Sequence, residues 1–190
     1  MDELLARIRA CTICAAHLPA GPRPIIAGHP SARIVIIGQA PGRKVHASGI
    51  AWDDASGRNL RAWMAMSEEV FYDPAQVALV PMGFCYPGTG RSGDLPPRPE
   101  CAPEWHAPLL DAMPNIQLTL LIGMYAQRQY LGTAAKKTLT ETVAASAEYG
   151  PGFLPLPHPS PRNNIWQRRN PWFGTDVLPT LQERVAAALD

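Results

Sequence analysis

Two short polar segments, each placed where an apolar run ends, carry residues that could do chemistry in this chain. The first is residues 38–42 (GQAPG), which follow the apolar residues 34–37 (IVII). The second is residues 158–163 (HPSPRN), which follow residues 153–157 (FLPLP). A glycine-rich turn at the carboxyl end of a buried strand lies where open α/β sheets bind their ligands. The two segments therefore predict a ligand site built from two loops.

Four cysteines offer a second kind of chemistry, the ligation of metal by thiolates. Cys11 and Cys14 form a C-x2-C pair, while Cys85 and Cys101 stand far apart from it and from each other. A reducing compartment argues against disulfides. Zinc sites more often use two tight pairs, whereas one close pair with two dispersed thiolates also suits a four-cysteine iron-sulfur cluster. The spacing alone leaves open a cluster, a structural zinc ion and unligated thiols.

The elements that must position these residues alternate along the chain. Apolar runs predict strands at residues 33–37, 77–80, 118–122 and 153–156, and helical periodicity separates them. Helices are expected after the first segment, over residues 123–131 and 139–147, and from residue 177 to 189. Strands that alternate with helices imply a parallel sheet between helical layers. The predicted fold class is α/β, a three-layer α/β/α sandwich with a central, mainly parallel four-stranded sheet.

Composition sets the scale of the molecule and its surroundings. The chain has 190 residues, 46% of them hydrophobic, and a formal net charge of +1, so we expect one domain over residues 1–190 and only local basic patches. One basic and aromatic interval without acidic residues spans residues 149–175. The start lacks a basic head before an apolar core, and no apolar stretch approaches membrane-spanning length. We expect a cytoplasmic monomer with no membrane partner.

Both segments and their order resemble the uracil-DNA glycosylase superfamily, and the resemblance covers nearly the whole chain. The resemblance is closest to the iron-sulfur, thermophile-type bacterial branch, with which the chain aligns without gaps from Gly38 to Trp52. The resemblance implies a monofunctional glycosylase that hydrolyses the N-glycosidic bond of uracil in DNA and leaves an abasic site. It also implies a structural [4Fe-4S] cluster, whose ligands would be Cys11, Cys14, Cys85 and Cys101.

The resemblance also assigns roles to the residues of the site. Breaking the glycosidic bond leaves negative charge on the departing base, and His158 would donate a hydrogen bond toward it. Trp52 would stack on the extruded uracil. Ser160 would hold a DNA phosphate or brace its loop, and Arg162 would probe the minor groove and fill the gap left by the flipped nucleotide.

Two departures from the family pattern concern the attacking water. Ala40 stands in the base pocket where some members carry the aspartate that positions water, and Gln39 is the expected substitute. The acidic pair that follows the glycine-rich turn in the iron-sulfur branch is replaced by Val45 and His46. An imidazole near its ordinary pKa of about 6.5 can act as an acid or a base, so His46 is a further candidate for positioning water.

A third departure concerns recognition of the base. Relatives read uracil with an asparagine late in the second strand, where this chain has Pro81. The backbone groups of Met82, Gly83 and Phe84, or the side chain of Asn163, are expected to replace it. The glycine-rich residues 85–93 could bring their amides close to DNA. These departures keep two alternatives open, namely a non-catalytic module that holds lesions or abasic sites, and a glycosylase for another deaminated base.

Overall fold

Four parallel strands form the central sheet, in the spatial order β2-β1-β5-β6, in a computed structural model that describes residues 1–91 and 93–190. Ser92, in the glycine-rich segment, lies outside the described residues. The strands are β1 (Ile34–Ile37), β2 (Val77–Leu79), β3 (Thr89–Gly90), β4 (Gly93–Asp94), β5 (Leu118–Ile122) and β6 (Phe153–Leu156). β3 and β4 pair separately as a short antiparallel hairpin. This arrangement confirms the predicted parallel four-stranded sheet.

Helices cover both faces of the sheet. They are α1 (Asp2–Arg9), α2 (Arg43–Ser48), α3 (Ala55–Trp63), α4 (Glu68–Tyr72), α5 (Cys101–Asp111), α6 (Met124–Leu131), α7 (Leu139–Ala144), α8 (Asn164–Arg169) and α9 (Leu178–Leu189). All four residues of β1 are buried, as expected for a central strand of a parallel sheet. Ile34 and Ile36 pack in one core with Leu181 of α9, and Val35 packs in a second core with Leu109 of α5. The predicted three-layer α/β/α sandwich is therefore confirmed.

The differences from the predicted elements lie in the connections. The predicted helix over residues 139–147 is shorter, because α7 ends at Ala144 and a 3-10 turn, Ser146–Tyr149, follows it. The hairpin and the short helices α2, α4 and α8 were not predicted. The hairpin strands contain two residues each, too few for an alternating pattern to appear. Among the described helices, none combines the length and the apolar character needed to cross a membrane.

Candidate active site

A cavity of about 680 Å³ opens at the carboxyl ends of the strands, where β1 and β6 run into the two polar segments. Its volume falls in the range of small-molecule sites. Every residue of the first segment lines it, from Gly38 to Gly42, and so do His158, Ser160, Arg162 and Asn163 of the second. The structure thus brings together the two segments that the sequence singled out, although more than a hundred residues separate them along the chain.

His158 is held in one tautomer by its own loop. Its Nδ1 accepts a hydrogen bond of 3.2 Å from the backbone N–H of Ser160, so the neutral ring carries its proton on Nε2. Burial lowers the pKa of His158 below its usual value, and the charges of Asp54 and Asp94 partly offset that effect. The cavity therefore contains a neutral imidazole that offers an N–H donor, the state suited to stabilising a developing anion.

Trp52 lies beside His158, and the backbone of Trp52 has an unusual conformation. Its φ of 59° is in the left-handed region, which costs a non-glycine residue about 1–3 kcal/mol and persists only where the surroundings enforce it. A Cβ added to Gly57 would lie 1.8 Å from the Trp52 carbonyl oxygen, and one added to Gly38 would lie 2.8 Å from indole Cζ2. Gly57 thus makes room for the Trp52 backbone and Gly38 for its indole, which lines the cavity and packs on the core.

Side-chain amides fix the loop that carries His158. Asn59 of α3 donates to the Pro159 carbonyl at 2.9 Å, and Asn163 donates to the His158 carbonyl at 2.7 Å. The Ser160 hydroxyl accepts from the Arg162 amide at 3.3 Å. Ser160 and Asn163 therefore brace the loop while they line the cavity. The amide nitrogen of Asn163 is engaged in this brace, which leaves its carbonyl oxygen for any contact with a base.

The backbone after β2 supports the first segment instead of facing the cavity. Met82 donates its amide to the Gly38 carbonyl at 2.8 Å, and Gly83 donates to the Gln39 carbonyl at 3.0 Å. Met82 and Phe84 are buried in the core, and the described lining of the cavity includes neither of them nor Gly83. The amides of Met82 and Gly83 are thus directed at residues 38–39, because β2 continues its parallel register past its last strand residue, and the Phe84 carbonyl accepts from the Ile25 amide.

Pro81 does line the cavity, and two consecutive hydrogen bonds through the buried side chain of His106 hold its carbonyl. His106 of α5 donates from Nε2 to the Pro81 carbonyl at 3.0 Å, and its Nδ1 accepts from the Tyr130 hydroxyl at 2.6 Å. Burial lowers the pKa of His106, so the ring is neutral and this pattern of one donor and one acceptor is satisfied. His106 could not be identified from the sequence, because a histidine inside an amphipathic helix carries no signal of its partners.

His46 lies apart from the other predicted site residues. It belongs to α2, its ring centroid is 5.8 Å from that of Tyr86, and the described lining of the cavity does not include it. Its buried Nδ1 has no hydrogen-bond partner among the described residues. The turn of α2 instead presents Arg43 and Lys44 to the cavity, two cations that suit contact with phosphate.

Two carboxylates that were not predicted as site residues also line the cavity. Asp54 caps the N-terminus of α3, where its Oδ1 accepts from the Gly57 amide at 2.9 Å. Asp94 comes from the β3–β4 hairpin, directly after the glycine-rich residues 85–93. The spacing Asp54-x-x-Gly57 before an amphipathic run was a readable capping signal. The hairpin had no comparable signal, because its strands contain two residues each.

The four cysteines converge on one side of the sheet. Cys14, Cys85 and Cys101 are buried, and none of the described cysteines forms a disulfide. Burial, with smaller effects from the other thiols, raises the pKa of Cys85 to about 11 and that of Cys101 to about 12. Within residues 1–91 and 93–190, no three His, Cys, Asp or Glu side chains are grouped closely enough to hold a metal ion. A zinc ion would need sulfurs about 3.8 Å apart, from tetrahedral bonds of about 2.3 Å, whereas a four-iron cluster binds each thiolate at a different iron and holds them further apart.

A comparison with known families agrees with this site. The family model described as the Uracil DNA glycosylase superfamily matches residues 26–182. The match contains the central sheet, both polar segments and the hairpin between them. It covers well over half of the 190 residues, and the fold and the order of the loops are those that the resemblance predicted. The chain therefore belongs to the uracil DNA glycosylase superfamily, and it is a DNA glycosylase.

Proposed function

We propose that this glycosylase removes uracil from DNA by hydrolysis and leaves an abasic site. The observation that carries the proposal is the N–H donor at Nε2 of His158. Because the Ser160 amide donates to Nδ1, the proton of the neutral ring lies on Nε2. A departing uracil gathers negative charge on its ring oxygens, and a fixed donor in a partly buried cavity stabilises such charge more than water does. A neutral donor suits this task because it does not bind an uncharged base or a stray anion as tightly as a cation would.

Trp52 supplies the second part of the proposal, a surface on which the extruded base stacks. Its indole lines the cavity next to His158, and stacking of a base on an aromatic ring contributes roughly 1–3 kcal/mol. Stacking holds any base without identifying it. We propose that the Asn163 carbonyl oxygen, the part of that amide left outside the loop brace, accepts the N3–H of uracil.

The DNA backbone would meet the cations at the mouth of the cavity. Arg43 and Lys44 lie on its α2 side and Arg162 lies on the opposite loop. Lys44 is exposed, which suits a phosphate contact better than nucleophilic attack on the sugar. We therefore propose a monofunctional enzyme that leaves the phosphodiester backbone intact.

We also propose that Cys11, Cys14, Cys85 and Cys101 hold a [4Fe-4S] cluster. Three segments bring the thiols together, and none is consumed in a described disulfide. The buried thiols would lose their protons as iron binds. The role of the cluster would be to join the N-terminal helix to the start of α5, since hydrolysis of a glycosidic bond transfers no electron.

The test of the proposed function is direct. Purified protein is incubated with an end-labelled oligonucleotide that contains one uracil, and hot alkali then cleaves any abasic site. Uracil release with alkali-dependent cleavage supports the proposal, and His158→Ala should lower the single-turnover rate by about 100-fold to 1000-fold. His29→Ala is the matched control, because His29 is exposed and, among the described residues, its ring bonds to Ser31 in the same loop. Release of hypoxanthine or xanthine from parallel substrates, with uracil retained, would instead assign another deaminated base, and tight abasic-site binding without turnover would assign a lesion-holding module.

A further inference from the structure

The β3–β4 hairpin forms a wall of the cavity and contacts both polar segments. Thr89, Gly93 and Asp94 line the cavity from this side. A Cβ added to Gly42 would lie 3.2 Å from Asp94 Oδ2, so the carboxylate sits against the turn that ends the first segment. The hairpin is therefore part of the site.

A hydrogen-bonded series orients the Asp94 carboxylate. Thr89 stands opposite Asp94 in the hairpin register, and its hydroxyl donates to Asp94 Oδ1 at 3.4 Å. The Tyr86 hydroxyl bonds the Thr89 hydroxyl in turn, so Tyr86 donates to Thr89 when Thr89 donates to Asp94. These contacts engage Oδ1. In the described hydrogen bonds Oδ2 has no donor, and it is the oxygen that faces Gly42.

We propose that Asp94 orients the water that attacks C1′ of the deoxyribose, an inference that rests on the proposed function. Hydrolysis needs an acceptor for a proton of that water, yet Ala40 and Val45 occupy the positions where an acid was expected. Gln39 donates its side-chain amide to the Leu95 carbonyl at 3.4 Å, which ties it to the hairpin. Asp94 brings a carboxylate to the same cavity from a different part of the chain.

Asp54 is the other carboxylate of the cavity, and its contacts assign it a different role. Its Oδ1 accepts the Gly57 amide as the cap of α3, the turn that also holds Trp52 in place. Asp94 caps no helix. The charges of both carboxylates act on His158, which indicates that each lies near the reacting centre. Each carboxylate keeps an Oδ2 that has no donor among the described hydrogen bonds, but the Oδ1 of Asp54 is committed to the cap of α3. Asp54 is thus a positioning residue, and Asp94 is the carboxylate available to a bound water.

The proposed step balances without any further reactant. The oxygen of water forms a bond to C1′ as the bond from C1′ to the uracil nitrogen breaks, and the bonding electron pair leaves with the base. One proton of the water passes to Asp94 Oδ2. The uracil anion is held by the His158 Nε2–H and takes its proton from solvent after release.

The experiment measures single-turnover uracil excision by the full chain carrying Asp94→Asn. We expect a loss of at least about 100-fold, with binding to a non-cleavable 2′-fluorinated deoxyuridine oligonucleotide within about threefold of wild type. Asp176→Asn is the matched control, since Asp176 is exposed and outside the described cavity lining, and it should excise at the wild-type rate. Asp94→Glu should recover part of the rate, because it retains the carboxylate.

Chemical rescue separates a proton acceptor from a structural support. Sodium formate should restore excision to Asp94→Ala in a concentration-dependent manner, and sodium chloride at equal ionic strength should not. The inference is overturned if wild type excises uracil and Asp94→Asn does so within about threefold of it, if binding and rate fall together, or if formate has no effect. If wild type releases no uracil while it releases another base, the proposed substrate fails, and the same variants tested on that base decide the role of Asp94.

Discussion

The indole of Trp52 and the imidazole of His158 lie with their ring centroids 5.9 Å apart and their planes 31° from parallel. They come from distant segments of the chain, Trp52 from between α2 and α3 and His158 from directly after β6. The separation exceeds close stacking, and both rings border the same cavity. The pair therefore offers a stacking surface and a hydrogen-bond donor to one ligand at the same time.

The first prediction concerns the proton on His158. We expect ¹⁵N NMR at pH 7 to report a protonated Nε2 and an unprotonated Nδ1, because the Ser160 amide donates to Nδ1. Burial lowers the pKa of His158, so the ring should be less than half protonated at pH 6.5, where an exposed histidine is about half protonated.

The sign of the linked stability effect follows from the same shift. The unfolded chain binds a proton at the ordinary histidine pKa, while folded His158 binds it only at lower pH, so its contribution opposes folding as pH falls through that window. His158→Gln should reduce the acid-side slope of the unfolding free energy against pH. A ring that titrates at or above 6.5 would contradict the prediction.

The second prediction concerns Gly38, which the indole of Trp52 covers. Gly38→Ala would place a methyl group 2.8 Å from indole Cζ2, so the ring must move. We expect weaker binding of the 2′-fluorinated uracil oligonucleotide by about 5-fold to 100-fold, the stacking contribution that the displaced ring would lose. Gly174→Ala is the control, because an added Cβ there meets no atom within 4 Å. Equal affinities for the two variants would remove Trp52 from base binding.

The third prediction concerns Asn59, which holds the His158 loop from α3. Asn59→Ala removes the 2.9 Å bond to the Pro159 carbonyl and lets the loop shift. A small misplacement of a catalytic group can lower the rate by up to about 100-fold, so we expect kcat to fall by about 10-fold to 100-fold with KM nearly unchanged. Asn115→Ala breaks a comparable bond to the Pro30 carbonyl in an exposed loop and should leave kcat unaltered. A rise in KM alone would mean that Asn59 serves DNA binding.

The fourth prediction concerns the cysteines. Protein purified without oxygen should be brown and contain about four irons per chain, and Cys101→Ala should lose the colour and lower the melting temperature. The wild-type and variant proteins are compared by iron analysis, visible absorbance and thermal unfolding, which do not depend on activity. Colourless wild-type protein that stays folded after anaerobic purification would contradict the cluster. Stoichiometric zinc in its place would assign a different metal.

The central sheet could be predicted from the sequence because each of its strands coincides with a short apolar run. Residues 34–37 and 153–156 end at polar segments, and parallel strands bring such ends to one edge of a sheet. The same rule brought Gly38 and His158 together. Helix propensity does not show which residues of a short helix face the cavity. In α2, His46 lies beside Tyr86, and Arg43 and Lys44 line the cavity.

Long-range hydrogen bonds were equally beyond the reach of the sequence. The amides of Met82 and Gly83 were expected to face a base, yet they donate hydrogen bonds to carbonyls of the first segment. The carboxylate of Asp94 reaches the cavity through a hairpin whose register is set by a handful of contacts, among them Thr89. Such contacts depend on how separate segments dock, and no local pattern records them.

Helix α5 joins two features of the molecule that serve different purposes. Cys101 is its first residue, and His106, five positions or about 7.5 Å along the axis, holds the Pro81 carbonyl at the cavity wall. A rigid helix passes displacement from one end to the other. If the proposed cluster binds at Cys101, its loss would act through α5 on the Pro81 side of the cavity wall.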